Sequence, residues 1–271
     1  MSEENKQSEY EGHGNNWHAI ADFDEGGLVQ IAKKVCEDPK ATIKNTQDFV
    51  GMISLEPPIR AIALLRIDHE SKRNILDSLY PFFQVHNPVD VEISEICEWG
   101  NKVEAVIKGN INGMSVSFFD AFYFVNKKEY KIGNTYQFNL IGLAHSFMKR
   151  DEDLEFIHEK GPLKGEPVTT RWMTAYMDSE QYGGEFTFAH PFTSFLGSVD
   201  AFGSKFHVFP FEMASYAEGG PALSFPIYVR EQTMKGYKPD LNDSVTGSGW
   251  LEGYLTDTFH DSAFLEQKEE V

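Results

Sequence analysis

Apolar and polar residues alternate through most of residues 89–144, the pattern of antiparallel strands with one face on a core. Alternation is clear over 103–108, and turn residues separate the alternating segments. Asn112-Gly113 lies between two of them and favours a tight hairpin, because both residues tolerate positive φ. We therefore predict a meander of four or five short strands, with Phe122 and Phe124 in one of them.

The apolar spacing of the N-terminal third is mainly helical. Apolar residues recur on one helical face over 28–36, and Pro39 ends the pattern. A second helical spacing covers 75–80, whereas the apolar run 59–67 fits a buried helix or a buried strand equally well. These patterns predict a mainly helical region over 27–85.

A second alternating run begins at residue 168, after a charged segment with few apolar anchors. Gly247, Gly249 and Gly253 interrupt its last strand, as residues at bulges do. A weak repeat is visible: Tyr123-Phe124-Val125 is followed by Tyr130-Lys131, and Ile227-Tyr228-Val229 is followed by Tyr237-Lys238. The match needs an insertion of about four residues in the second copy, and it suggests duplication.

These patterns predict an α+β fold. An N-terminal helical region is followed by two β-rich, duplicated units, each an OB-like antiparallel barrel or half-barrel. The predicted divisions are an acidic flexible arm (1–26), the helical region (27–85), a first β unit (86–148), a linker (149–167), a second β unit (168–257) and an acidic tail (258–271).

Composition and charge narrow the classes of function. The 271 residues are 41% hydrophobic and 14% aromatic, with 22 phenylalanines, which excludes disorder throughout and predicts an aromatic core. The net charge of −18 argues against a sequence-independent grip on nucleic acid and against an anionic membrane surface. Residues 1–26 carry −6 and residues 250–271 carry −5, so much of the excess lies at the two ends.

The sequence favours a reduced, cytoplasmic location. Two cysteines, Cys36 and Cys97, do not form a disulfide framework, and the polar, acidic N-terminus lacks the features of a signal peptide. No apolar run has the length of about 20 residues that a membrane helix needs.

Metal and phosphate motifs are weak. His13, His18, Asp22 and Asp24 could supply metal ligands, but no zinc-module spacing is present, and Lys33 occupies the position where a calcium loop needs glutamate. The glycine-rich stretch 247–253 lacks the Lys-Ser/Thr ending of a phosphate loop. We predict surface polar residues near the N-terminus, with no metal and no cofactor.

No catalytic motif is complete in the sequence, so a catalytic site would have to be assembled by the tertiary structure. No Gly-x-Ser-x-Gly elbow occurs, and Cys97 could meet His145 or His207 only through the fold. A hydrolase-like site between the two β units would draw on four residues, provided that they converge: His145, Glu185, His190 and His207.

The aromatic residues of 118–124 cannot all face one side of a strand, so some must contact another layer or a partner. We expect packing on the N-terminal helices first, then a protein partner, then nucleic acid. The candidate binding residues are Phe119, Phe122, Tyr123, Trp172 and Trp250.

The leading hypothesis for function is a non-catalytic soluble binding or accessory protein, such as an acidic inhibitor- or immunity-type protein that binds a basic protein partner. Two alternatives stay open at this point: the hydrolase-like enzyme, and a single-stranded nucleic-acid-binding OB-fold protein, which would need a basic groove beside its aromatic residues.

Overall fold

The computed structural model describes residues 13–23, 26–151, 153, 155–157, 164–179, 183–214 and 221–258. Most of these residues are in strands, as the alternating sequence predicts. The α-helices are Gly14–Ile20 (α1), Gly27–Glu37 (α2) and Tyr123–Asn126 (α3). No helix in the described ranges has both the length and the apolar character needed to cross a bilayer.

The strands fall into two main sheets and one two-stranded ribbon. In chain order they are Thr42–Asn45 (β1), Phe49–Ser54 (β2), Ile59–Asp68 (β3), Arg73–Phe83 (β4), Pro88–Glu98 (β5), Ala105–Ile111 (β6), Met114–Asp120 (β7), Thr135–Lys149 (β8), Glu155–Ile157 (β9), Pro167–Thr169 (β10), Ala175–Asp178 (β11), Glu185–Pro191 (β12), Gly197–Ala201 (β13), Ser204–Ala214 (β14), Pro221–Arg230 (β15) and Ser244–Leu255 (β16).

The first sheet is the antiparallel meander β1-β2-β3-β4. The ambiguous run 59–67 is therefore strand, and the helix predicted over 75–80 is wrong because these residues belong to β4. Leu64 pairs with Ser78 and Leu65 with Leu76, so Asp77 is an extra residue in β4. This bulge shifts the alternation and leaves the apolar residues at helix-like spacing.

The predicted helix over 28–36 is confirmed by α2, but the predicted flexible arm is wrong for residues 13–23. Trp17 and Ile20 of α1 are buried, and the Trp17 indole N–H donates a hydrogen bond to the Leu79 carbonyl at 2.9 Å. A seven-residue helix has little stability of its own, so burial of its apolar face holds α1 in place. The rest of the predicted arm, residues 1–12 and 24–25, lies outside the described residues.

The second sheet has ten strands and contains the predicted meander β5–β8. Its β6–β7 hairpin turns at Asn112 and Gly113, whose φ angles are 50° and 84°, which confirms that hairpin. The strand predicted at Phe122 and Phe124 is wrong, since α3 begins there. The Asp120 carboxylate accepts a hydrogen bond from the Phe122 N–H at 3.0 Å and so turns the chain out of β7.

Five strands of this sheet close into a hydrogen-bonded ring. β7, β6, β5 and β8 pair antiparallel in that order, β8 pairs antiparallel with β16, and β16 runs parallel to β7 for two residue pairs. The other strands extend the sheet on both sides, with β12 and β11 beyond β16, and β15, β14 and β13 beyond β8. We call the closed set β5, β6, β7, β8 and β16 the ring.

The two predicted β units are parts of this one sheet. Strands of segment 89–144 are ordered β7-β6-β5-β8, whereas those of segment 170–255 form the separate groups β11-β12-β16 and β15-β14-β13. The strand orders differ, so the predicted duplication is not confirmed. β9 lies in the segment predicted as a linker and pairs with β10, which begins at the last residue of that segment. Of the predicted acidic tail only Thr258 is described.

Two apolar layers stabilise the fold. One fills the ring and continues beneath β12, β14 and β15, and the other lies between the four-stranded sheet and the outer surface of β7, β8 and β16. Both layers are rich in aromatic side chains, as the composition predicts. The four-stranded sheet and the second layer therefore cover the outer surface of the ring at β7, β8 and β16, whereas the outer surface of β5 and β6 is largely exposed.

Candidate functional site

A buried imidazole–carboxylate pair joins the N-terminal segment to the ring. His13 Nε2 lies 2.7 Å from Glu104 Oε1, and the two residues are only 7% and 2% exposed. Ser78 Oγ donates to the same carboxylate oxygen at 2.9 Å, and Asn101 Nδ2 donates to the other oxygen. Glu104 therefore has a donor on each oxygen, as a buried carboxylate requires.

Four aromatic rings surround the His13 imidazole. The ring of Trp99 stacks on it at 5.1 Å between centroids and 28° between planes, and that of Tyr80 lies tilted at 4.9 Å. The rings of Phe119 and Trp250 lie nearly edge-on to the imidazole, with centroid distances of 4.8 Å and 5.9 Å. We call Glu104 with these four rings the aromatic box.

The box is assembled by residues from distant parts of the chain. Tyr80 lies on β4, Phe119 on β7 and Trp250 on β16, while Trp99 and Glu104 bracket the β5–β6 turn. The Trp99 N–H donates to the Glu104 carbonyl at 2.8 Å, and the Asn101 side chain accepts from the Glu104 N–H at 3.2 Å. These bonds fix the turn and aim the Glu104 carboxylate inward.

The polar groups of the box do not form a nucleophile–base–acid chain. In such a chain the imidazole lies between the hydroxyl and the carboxylate, whereas here Glu104 lies between Ser78 and His13. The His13 Nδ1 atom is buried with no hydrogen-bond partner. The arrangement therefore positions a ring and a charge but does not activate Ser78.

The four residues considered for hydrolysis have separate partners. The His145 Nε2 atom bonds to Asn16 Oδ1 at 3.1 Å, and burial lowers the pKa of His145 to about 4. The two ring nitrogens of His190 contact backbone carbonyls, His207 stacks on Phe195, and Glu185 pairs across strands with Trp250. In the described contacts no two of these four residues meet.

The His/Asp cluster near the N-terminus separates in the fold. His13 enters the aromatic box, and Asp22 receives two hydrogen bonds from the buried Arg230, at 3.1 Å and 2.7 Å. His18 is exposed, and Asp24 lies outside the described residues. Within the described ranges no three His, Cys, Asp or Glu residues group closely enough to hold a metal ion.

Two further carboxylates are buried where β7 meets β16. Asp120 is 1% exposed and accepts from the Tyr130 hydroxyl at 2.5 Å, and burial raises its pKa to about 7. Glu252 is fully buried and accepts from the Phe83 N–H at 3.2 Å, and burial raises its pKa well above the usual range. Both carboxyl groups are enclosed by the core and are out of reach of a ligand, so their protonation affects the stability of the fold.

The predicted aromatic binding residues divide into two groups. Phe119, Phe122, Tyr123 and Trp250 are buried. Phe119 packs on Tyr80 of β4, so a strand of the N-terminal sheet covers this ring where helices were predicted, whereas Tyr123 belongs to the layer that fills the ring. Trp172 is 52% exposed, and the Arg171 guanidinium lies over its ring at 5.3 Å.

The exposed outer surface of β5 carries a line of carboxylates. We call it the acidic face, and its members are Asp90, Glu92 and Glu95, all exposed. Glu98 is not among them, since it pairs with the inward-facing Ala105 and accepts a hydrogen bond from the Tyr123 hydroxyl at 2.8 Å. Val91 and Ile93 alternate with the first two and point into the ring. The neighbouring strand β6 supplies Lys108, whose Nζ lies 3.0 Å from Glu95 Oε2. Negative charge therefore remains in excess on this face.

A cleft of about 390 Å³ opens between α2, the β2–β3 connection and the β13–β14 turn. Its lining is mainly apolar, with Lys34, Glu56 and Asp200 among the wall residues, and it contains no histidine, cysteine or serine. Leu55 and Phe202, with φ angles of 75° and 51°, both line it in the left-handed region. Such a cleft can bind a ligand, but it lacks the usual nucleophiles.

Comparison with models of known protein families, with curated proteins and with solved structures gives no match.

Sequence reasoning missed the central residue of the box. The alternation of Val103, Glu104 and Ala105 predicts that Glu104 faces solvent, and His13 was predicted to be a surface residue. Both residues are buried. The available signal was the Trp99-Gly100-Asn101 turn, because an Asx-type turn aims the residues that follow it. Nothing local relates this turn to His13, which is 91 residues away from Glu104 in the chain.

Proposed function

We propose that this chain is a non-catalytic binding protein that recognises a basic protein partner through the acidic face. The observation that carries the proposal is the exposed surface of β5, where three exposed carboxylates face one lysine that is already paired with Glu95. A basic partner gains attraction on approach to such a surface, chiefly as a faster rate of association.

We further propose that the ring is an OB-like barrel. Three consecutive antiparallel strands, a short helix after the third, a fourth strand beside the first and a fifth that closes on the third all support this. OB folds bind ligands mainly on the surface of their second and third strands, which correspond here to β6 and β7.

The charge of that surface disfavours nucleic acid as the ligand. Its outward residues include Lys108, Asn110, Ser115 and Ser117, so it has one cation, and that cation is paired with Glu95. Single-stranded nucleic acid needs a positively charged groove along its backbone, together with exposed stacking rings. The acidic face next to this surface would repel phosphate.

A reduced, cytoplasmic compartment is part of the proposal. Cys36 and Cys97 are free thiols, and burial raises the pKa of each, with Glu95 as a further cause for Cys97. Neither is therefore an activated nucleophile, which is consistent with a non-catalytic role.

The test compares two charge-reversed proteins as baits. One carries Asp90→Lys, Glu92→Lys and Glu95→Lys on the acidic face. The matched control carries Glu37→Lys, Glu70→Lys and Glu231→Lys, three exposed positions on α2, the β3–β4 turn and the turn after β15. Both have the same change in net charge, so only the position of the charge differs.

We expect wild type and the control to retain the same basic protein from native lysate, identified by mass spectrometry, and the acidic-face variant to lose it. Raising the salt from about 50 mM to about 500 mM should release the partner, because exposed charges are then screened. Retention by both variants, or retention at high salt, would contradict the proposal.

A further inference from the structure

We infer that the aromatic box is a binding site for a planar organic cation of the guanidinium or imidazolium type, and that His13 is its occupant within the chain. This goes beyond the proposed function, because the site is separate from the acidic face and rests on different residues.

The box supplies a counter-charge for a cation. Glu104 is 2% exposed, and the described donors to its carboxylate are Ser78, Asn101 and His13. Ser78 and Asn101 are neutral donors held by the protein itself. The third position, now filled by the His13 ring, is the one at which a cation would face the buried negative charge at short range.

The rings define the shape of the group that fits. Trp99 lies nearly parallel to the His13 ring, at 28°, while Phe119 and Trp250 stand at 73° and 67° to it. The space is therefore a flat slot against an indole face, which suits a planar, weakly hydrated cation. A rounded tetraalkylammonium fits a slot of this kind less well.

His13 satisfies this site incompletely. Its Nδ1 atom is buried without a hydrogen-bond partner, and a polar atom left in this state lowers the stability of the arrangement. His13 lies just before α1, whereas the helix is anchored by Trp17 in the apolar layer. The His13 side chain can leave the box while Trp17 stays in place, so an external cation can compete with it.

The box lies close to the protein surface at Trp99, which is partly exposed and directly follows β5, the strand that carries the acidic face. Cations near this surface are concentrated by the local negative potential, which favours their entry.

The test vacates the box with His13→Ala and adds methylguanidinium chloride, with N-methylurea as the neutral probe of the same shape. Wild type under the same additions measures the general effect of each probe on stability. We expect a saturable rise in the Tm of the variant of about 2–4 °C when methylguanidinium reaches about ten times its Kd. Fluorescence of Trp99 and Trp250 should change with the same midpoint.

A second variant separates cation binding from cavity filling. In His13→Ala with Glu104→Gln the saturable rise should disappear, because the counter-charge is gone while the slot remains. An equal rise with N-methylurea, or no saturable rise in His13→Ala, would overturn the inference.

If circular dichroism shows that His13→Ala is unfolded, the titration is done on wild type and followed by NMR of the histidine rings. The ring signals of His13 are assigned in the full-length protein. We expect their chemical shifts to move toward those of a solvent-exposed histidine as methylguanidinium displaces the His13 ring from the box. His13 signals that do not shift up to the highest concentration at which methylguanidinium is soluble would overturn the inference.

Discussion

Individual buried carboxylates differ in how well their surroundings satisfy them. Glu104 accepts hydrogen bonds on both oxygens, whereas Glu252 Oε2 is buried with no partner. Asp120 also has a donor on each oxygen, the Phe122 N–H on one and the Tyr130 hydroxyl on the other, but it has two donors where Glu104 has three. A buried carboxyl group that cannot be fully solvated or paired as an anion keeps its proton to higher pH, so Asp120 and Glu252, whose pKa values are raised by burial, make stability depend on pH.

Asp120 should make the protein less stable as the pH rises. Burial raises its pKa to about 7 in the folded state, whereas an unfolded aspartate titrates near about 3.9. The stabilising contribution of the bound proton is complete below pH of about 4 and is lost as the pH rises to about 7. Asp120→Asn, which stays neutral, should reduce the fall in unfolding free energy between pH of about 5 and about 8 by about 2–3 kcal/mol.

Urea denaturation at both pH values measures this difference. Asp243→Asn is the control with the opposite sign, because the hydrogen bond from Lys149 holds the pKa of Asp243 down at about 2, so its contribution to stability changes only in acid. The same fall in stability for Asp120→Asn and wild type would contradict the assignment.

At the scale of elements, β16 holds the fold together. It pairs with β12, with β8 over most of its length and with β7 at the closure of the ring, so it is hydrogen-bonded to strands from both halves of the chain. Its glycines allow other groups to approach closely at these crossings. The bulge between Ser248 and Gly249 bends it, as its glycine pattern predicts.

Gly247→Ala should destabilise the protein by about 1–3 kcal/mol, because overpacking forces the backbone to move. An added Cβ would overlap the Ser146 carbonyl oxygen and the Phe188 ring, and the carbonyl belongs to a paired strand that cannot move aside alone. Thermal and urea unfolding measure the loss.

Gly197→Ala is the matched control for that substitution. Gly197 lies on the outermost strand β13, and a Cβ there would have no neighbour within 4 Å. We expect its effect to stay within about 0.5 kcal/mol. Equal effects at Gly197 and Gly247 would show that the crossing is not tightly packed.

At the scale of the whole molecule, negative charge opposes compaction. The net charge is −18, and most of the ion pairs in the described residues involve exposed side chains, which contribute little to stability. Self-repulsion therefore outweighs these exposed pairs at neutral pH. The two aromatic layers supply the stabilisation that offsets it.

Salt should stabilise the protein at neutral pH. Raising sodium chloride from about 20 mM to about 300 mM shortens the screening length and weakens the self-repulsion, so the Tm at pH of about 7 should rise by a few degrees. At pH near 4.9, the isoelectric point of the sequence, the same addition should have little effect. A Tm that falls with salt at neutral pH would show that attractive pairs dominate.

Features of short range could be predicted from the sequence. The alternation over 89–144, the hairpin at Asn112-Gly113 and the helix over 28–36 each depend on neighbouring residues, and the fold contains all three, except that a helix replaces the strand predicted at Phe122 and Phe124. The strand-rich character and the aromatic core likewise follow from period and composition, because a side chain's face in a strand is set by its position alone.

Only the tertiary structure decided the rest. The apolar residues of β4 have a helix-like spacing because the bulge at Asp77 shifts the alternation, and the bulge is visible only in the pairing with β3. The pairing of Glu252 with Phe119 closes the ring between residues far apart in the chain. The burial of Glu104 and His13 arose in the same way, since both are polar residues and the 2.7 Å hydrogen bond that pairs them joins residues 91 apart. Contacts of this kind depend on the free energy of the assembled layers, which no local pattern contains.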